Sequence, residues 1–343
     1  MTITMISKKK KVLTITCIAD ALGVSVSTVS RALQGHAKVA DETKRKVSNY
    51  ALVNGYEPNI LAVNLRLQKS RTIGVIVPSF TDPFFAEVLD VIETNARRQN
   101  YNVLLGNSND NSEKEADLFH SLRLRRVDGM IMSLSPKSMF LKRRNFESGA
   151  TLPLVFFNHV PGFSGIRADA ISCDGYNGML KLMSWFFQNN RRHIGFINGP
   201  SDLLLSKELL QAYMHSWSIR RRKIDMQLVE STDLSKEGNR QAISTLLKRN
   251  CKLDAVISFN DHVHIDAVEA AAELGIVVNQ DIIFGSTAGR SFSQYLRQPP
   301  RVSLNPFPAK QGQMAFNALL QQINRGKIVS PFSYKKIEAD IIV

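Results

Sequence analysis

Cysteine is scarce in this chain: Cys17, Cys173 and Cys251 are the only three among 343 residues. Thiols so few and scattered exclude a disulfide framework and a Cys-rich zinc site, and they fit a reduced compartment. Also missing is any run near the roughly 18 apolar residues that a membrane span requires. The apolar patch at the start precedes Lys8 to Lys11 and is too short for the core of an export signal, so a cytoplasmic protein is expected. Acidic residues are outnumbered, 30 Asp and Glu against 44 Lys and Arg, which leaves a net charge of +14. Half of that surplus lies in the first 70 residues, at about four times the charge density of the rest. That distribution suits an N-terminal module for a polyanion, although charge alone does not separate nucleic acid from an acidic membrane surface.

Catalytic signatures are lacking too. There is no Gly-x-Ser-x-Gly element and no paired-carboxylate motif, and Gly285 to Ser291 has neither the spacing nor the lysine of a phosphate-binding loop. Asp261-His262-x-His264-x-Asp266 invites a metal reading, but on a helix only pairs such as His262 with Asp266 share a face, and no third ligand is evident. The sequence therefore predicts no enzyme, no metal and no cofactor.

What is present begins at Thr14 to Leu33, TITCIADALGVSVSTVSRAL. Ile15, Ile18, Ala19 and Leu22 recur at helical spacing, Gly23 can turn the chain, and Ser25 can cap a second helix running from about Val26 to Leu33. Val29, Ala32 and Leu33 face the first helix, which leaves Val26, Ser27, Thr28, Ser30 and Arg31 outward. This is the layout of a helix-turn-helix, whose second helix enters the DNA major groove. A third helix is predicted over Asp41 to Asn54, ended by Gly55, and Pro58 separates it from a short amphipathic segment, Ile60 to Leu67.

From Thr72 the pattern changes to apolar strands alternating with amphipathic helices. Strands are predicted at Ile73 to Val77, Tyr101 to Leu105, Gly129 to Ser133, Leu154 to Phe157, Ile194 to Ile197, Ala255 to Phe259 and Ile282 to Phe284. The helices between them include Ala86 to Asn100 and Ile265 to Leu274. Such alternation predicts parallel sheets covered by helices, with too many units for one compact sheet. The expected fold class is α/β: an all-α helix-turn-helix domain followed by two doubly wound lobes with a ligand cleft at the C-terminal strand ends.

Val24-Ser25-Val26-Ser27-Thr28-Val29-Ser30-Arg31 resembles the lactose-repressor (LacI/GalR) family of bacterial regulators. Gly55-Tyr56-Glu57-Pro58-Asn59, Ala62-x-x-Leu65-Arg66, Asp82-Pro83-Phe84-Phe85, Val127-Asp128-Gly129, Asn260-Asp261 and Glu273-Leu274-Gly275-Ile276 extend the likeness over nearly the whole chain. The resemblance implies a homodimeric repressor that binds a pseudo-palindromic operator in double-stranded DNA under the control of a small molecule. It divides the chain into residues 1–58, a hinge at 59–70 and a periplasmic-binding-protein-like sensor at 71–343. One lobe would take about 71–170 and 303–329, the other about 171–302 and 330–343.

By the same resemblance Val26, Ser27 and Arg31 would read bases, Arg31 by a bidentate pair with guanine. Ser25, Thr28, Ser30 and Lys38 would touch phosphates. In the hinge, Asn59, Ala62, Leu65 and Arg66 would meet the minor groove, with Leu65 as a wedge between base steps. Phe84, Phe85, Asp174 and Asp261 would contact the effector. The arginine with which the family grips an oxygen-rich ligand is Leu209 here, which argues against a strongly anionic effector and favours a neutral sugar. A phosphorylated sugar, a nucleobase and a protein partner remain alternatives. A sugar receptor with no DNA role would not need residues 14–67.

Overall fold

The computed structural model describes residues 13–57, 69–138, 152–161, 168–249, 252–289, 296–326 and 332–343. The chain forms two compact units, divided between Gln68 and Lys69. In the first, α1 spans Ile15–Leu22, α2 Val26–Leu33 and α3 Asp41–Val53. Thr14 caps α1 by accepting from the Cys17 N–H at 3.3 Å, and Gly23 ends it at φ 61°, a left-handed conformation that costs glycine nothing. Ser25 caps α2, its Oγ accepting from the Thr28 N–H at 3.1 Å. The apolar stripes of the three helices meet in one small core of Ile18, Ala19, Val29, Ala32, Val39, Val47 and Ala51.

The second unit holds two six-stranded sheets. The first contains β1 (Thr72–Val77), β2 (Asn102–Asn107), β3 (Gly129–Met132), β4 (Leu154–Phe157), β5 (Asp169–Cys173) and β11 (Tyr334–Ile337), in the order β11-β5-β4-β3-β1-β2. All its neighbours are parallel. Both faces are buried: Val75, Ile131, Val155 and Phe157 pack under α4 (Pro83–Arg98) and α10 (Pro308–Arg325), while Ile76, Met130, Met132 and Phe156 pack under α5 (Ser112–Leu124). This two-sided burial explains why the strands read as unbroken apolar runs.

The second sheet runs β12-β10-β9-β8-β6-β7, from β6 (Ile194–Asn198), β7 (Val229–Ser231), β8 (Ala255–Ser258), β9 (Ile283–Ser286), β10 (Val302–Asn305) and β12 (Asp340–Ile342). Only β12 is antiparallel to its neighbour. Helices α6 (Gly175–Gln188), α7 (Leu204–Ile219), α8 (Lys236–Arg249) and α9 (Asp261–Glu273) complete the layers. One continuous core runs through them, with Phe186, Phe196, Tyr213 and Phe284 fully enclosed.

The structure moves two kinds of boundary. Asp169–Cys173 and Tyr334–Ile337 pair with each other in the first sheet, while Val302–Asn305 pairs in the second. The chain therefore passes between sheets at about 174, 306 and 338, not near 171, 302 and 330. DAISC, VSLN and YKKI are short, broken by polar residues and lie toward sheet edges, so local periodicity does not reveal which sheet they join. Helices α4 and α9 also start earlier than their apolar stripes suggest. Asp82 and Asn260 cap them, accepting from the Phe84 N–H at 2.8 Å and the Val263 N–H at 2.9 Å. Phe84, Phe85 and Asp261 consequently sit in first helical turns, not in loops.

Candidate functional site

Two sites emerge, one in each unit. On α2 the buried face, Val29 and Ala32, fixes which residues look outward. Val26, Ser27 and Arg31 are exposed together with Ser25 at the cap and Lys38 beyond the helix, while Thr28 and Ser30 are half-buried. Hydroxyls crowd the N-terminal turn: Ser25 Oγ lies 2.8 Å from both Ser27 Oγ and Thr28 Oγ1. Several donors at a positive helix end suit phosphate oxygens. Arg31 makes no ion pair among the described residues. Asn59, Ala62, Leu65 and Arg66 lie outside the described residues.

The second site is a cavity of about 340 Å³ in the sensor unit. Its wall comes from the C-terminal ends of strands in both sheets: Pro78, Ser79 and Asp82 after β1, Asp110 after β2, Asn158 and His159 after β4, Phe259 to His262 after β8, and Thr287 and Ala288 after β9. Parallel strands converge their loops there, which is why doubly wound sheets bind ligands at this end. Phe84 and Phe85 both line it, 5.2 Å apart and edge to face. Phe85 is buried and packs on Phe157, so it belongs to the core as much as to the cavity.

The polar lining is dominated by carboxylates. Burial lifts Asp261 to about 6, helped by the nearby Asp82 charge and opposed by His262. Asp110 is lifted to about 6 by the same causes in the same order. Asp82 is also raised, by burial, against His262 and the N–H groups of Phe84 and Phe85 that it caps. Asp266 accepts from Asn239 Nδ2 at 2.7 Å, and Asn239 accepts in turn from Thr232 Oγ1 at 2.6 Å, so this carboxylate is held by α8. Lys236 is the lysine on the wall, and Glu269 stands 3.3 Å from its ammonium. Burial pushes His159 down to about 4, so its ring is a neutral hydrogen-bonding group at pH 7, held 3.1 Å from the Leu134 carbonyl.

Of the four effector residues expected from sequence, Phe84, Phe85 and Asp261 converge on this cavity, and Asp174 does not. Asp174 caps α6, its Oδ1 accepting from the Asn177 N–H at 3.1 Å and its Oδ2 from Asn177 Nδ2 at 2.7 Å. Leu209 is fully buried against the second sheet's core and borders a void of about 30 Å³. Its neighbour Lys207 is exposed and off the wall. Sequence reasoning missed Asp110, Asn158, His159, Lys236, Asn239 and Asp266 as lining residues. All but Asp266, which lies in the second turn of α9, follow a strand end or lie in the first turn of a helix, and nothing in their local sequence marks a ligand wall. His264 turns away from the cavity, its Nε2 lying 3.0 Å from the Gln298 carbonyl. Among the described residues, no group of three or more His, Cys, Asp or Glu could hold a metal ion.

The raised carboxyls make a stability prediction. Because Asp110 and Asp261 bind protons more tightly in the folded state than at the ordinary 3.8, their contribution to stability is fully present below about pH 4 and is lost as pH rises through about 6. Scanning calorimetry of the ligand-free protein between about pH 4 and 7 should show this loss. An Asp110→Asn, Asp261→Asn double variant should flatten that part of the curve.

The family model for bacterial regulatory proteins of the lacI family matches residues 14–59, and that for periplasmic binding proteins and the sugar-binding domain of the LacI family matches residues 70–334. The ribose operon repressor of Haemophilus influenzae is 26% identical over 306 residues, covering 89% of this chain and 90% of that protein. The transcriptional repressor CytR of Escherichia coli is also 26% identical, over 92% of this chain and 91% of its own length. Among solved structures, a lac repressor dimer bound to operator and the anti-inducer ONPF superposes with a TM-score of 0.81 at 20% identity, covering 97% of this chain and 98% of that one. A CelR–cellobiose complex gives 0.71 at 21% identity, covering 96% and 98%.

Proposed function

We infer, from the premise that this chain belongs to the LacI family of bacterial regulatory proteins, that it represses transcription by holding operator DNA and that a small molecule in the 340 Å³ cavity alters that hold. The observation that carries the reading is the pairing of the two sites in one chain: an exposed α2 built for the major groove and a strand-end cavity. Val26, Ser27 and Arg31 read bases, with Val26 against a thymine methyl. Ser25, Thr28, Ser30 and Lys38 grip phosphates. The hinge, with Asn59, Ala62, Leu65 and Arg66, meets the minor groove.

The effector is a sugar-sized molecule with an apolar face on Phe84 or Phe85 and polar groups on Asp261. An anionic ligand is disfavoured, since no arginine lines the described cavity and carboxylates crowd it. Supporting a homodimer, β2 lies at a sheet edge and leaves Leu104 and Leu105 exposed, an apolar edge that a partner subunit can cover. The decisive experiment is fluorescence-anisotropy titration of the full chain on selected operator DNA in the presence of a metabolite panel. At least one small molecule should move the operator affinity tenfold or more. If none does, the sensor reading fails. In the same assay Lys38→Ala should weaken operator and random DNA alike and reduce the slope of affinity against salt by about one.

A further inference from the structure

Asp82 and Asp110 reach the cavity from the first sheet, Asp261 and Asp266 from the second. Asp266 is engaged by Asn239, and Lys236 has Glu269 beside it. The other three carboxylates have little to balance them. Asp261 is 6% exposed, and its Oδ1 has no hydrogen-bond partner among the described residues; the same holds for Asp110 Oδ1. Asp82 spends one oxygen on the cap of α4. An unpaired buried acceptor is destabilising, so a site that retains two beside a cavity is shaped for a donor that arrives with the ligand.

The cavity's size and its aromatic wall at Phe84 fit a single ring, and its polar side sets four carboxylates against the one ammonium of Lys236. A hydroxyl satisfies one acceptor. An ammonium group satisfies three and neutralises charge as well. We infer that the effector carries a protonated amine: a sugar-sized cation whose nitrogen sits among Asp82, Asp110 and Asp261, drawing the two sheets' strand ends onto one charge. The inference rests on the sensor reading above and replaces the neutral sugar expected from Leu209 by a cationic one. Both exclude a phosphate, but for different reasons.

The groups facing the three carboxylates are His262 on α9, Lys236 on α8, His159 after β4 and Asp266 on α9.

The test is calorimetry of the full chain with glucosamine, galactosamine and mannosamine, each beside its parent hexose, so that ammonium replaces hydroxyl at unchanged size. At pH 7 at least one amine should bind about tenfold or more tightly than its parent. That preference should shrink toward unity at pH 5, where Asp110 and Asp261 take up protons, and the hexose should show no such dependence. Asp82→Asn and Asp261→Asn keep the shape of the site and should each cut the preference severalfold. Equal or tighter binding of the hexose overturns the cationic effector and leaves a sugar sensor standing. Absence of binding by every amine overturns it too. The sensor reading itself falls only if the wider metabolite panel also leaves operator affinity unmoved.

Discussion

Replacing Arg31 by alanine is expected to cost about 1 to 3 kcal/mol on the selected operator and much less on random DNA. Val29 and Ala32 are locked into the core of the small domain, which sets the rotation of α2 and sends Arg31 outward from its last turn. The guanidinium has no acidic partner among the described residues that it must give up before binding. A bidentate pair with guanine O6 and N7 also discriminates among bases, so site selection with Arg31→Ala should show one base pair per half-site losing its preference. Equal losses on both DNAs would instead make Arg31 a phosphate contact. Circular dichroism separates either outcome from unfolding, because an exposed side chain contributes little to the core.

Asp261→Ala is expected to abolish the effector's influence on operator affinity while leaving that affinity within about twofold of the parent, since binding energy at the cavity is what couples the two sites. A second variant approaches the same carboxylate from its neighbour. Gly289 adopts φ 105°, which L-residues rarely tolerate, and a Cβ there would collide with the Asp261 carboxylate. Gly289→Ala should therefore displace Asp261 and blunt the response without touching any residue of the DNA-binding unit. Dose–response curves for operator release, run on both variants, decide the matter. A response of full amplitude in Asp261→Ala would mean that the cavity is not the control site.

The small helical domain was readable residue by residue, because its helices are short, capped by Thr14 and Ser25 and stopped by Gly23, and each signal acts within a few positions. The α/β alternation was equally plain from Ile73 onward, because strands buried on both faces write unbroken apolar runs. Strand assignment was not plain. Nothing local tells Tyr334–Ile337 to pair with Asp169–Cys173, since that choice depends on distant partners. At the cavity, Asp261 stood out beside Asn260, whereas Asp110 and His159 are ordinary turn residues until the two sheets bring their strand ends together. Asp174 shows the opposite error: a motif-like aspartate whose work is a helix cap.

The passages of the chain between its sheets carry a consequence for biosynthesis. When a ribosome has delivered residues up to about 325, the first sheet has five of its six strands, but β5 still presents an open edge. Its partner, Tyr334–Ile337, arrives only after α10, and β12 closes the second sheet's far edge at Asp340–Ile342 directly behind it. Neither sheet is complete until this stretch has emerged, so the nascent sensor waits with exposed strand edges that favour aggregation or chaperone binding. Cutting the chain after about residue 325 should for that reason be nearly as damaging as cutting it in the middle, even though none of the residues removed lines the described cavity.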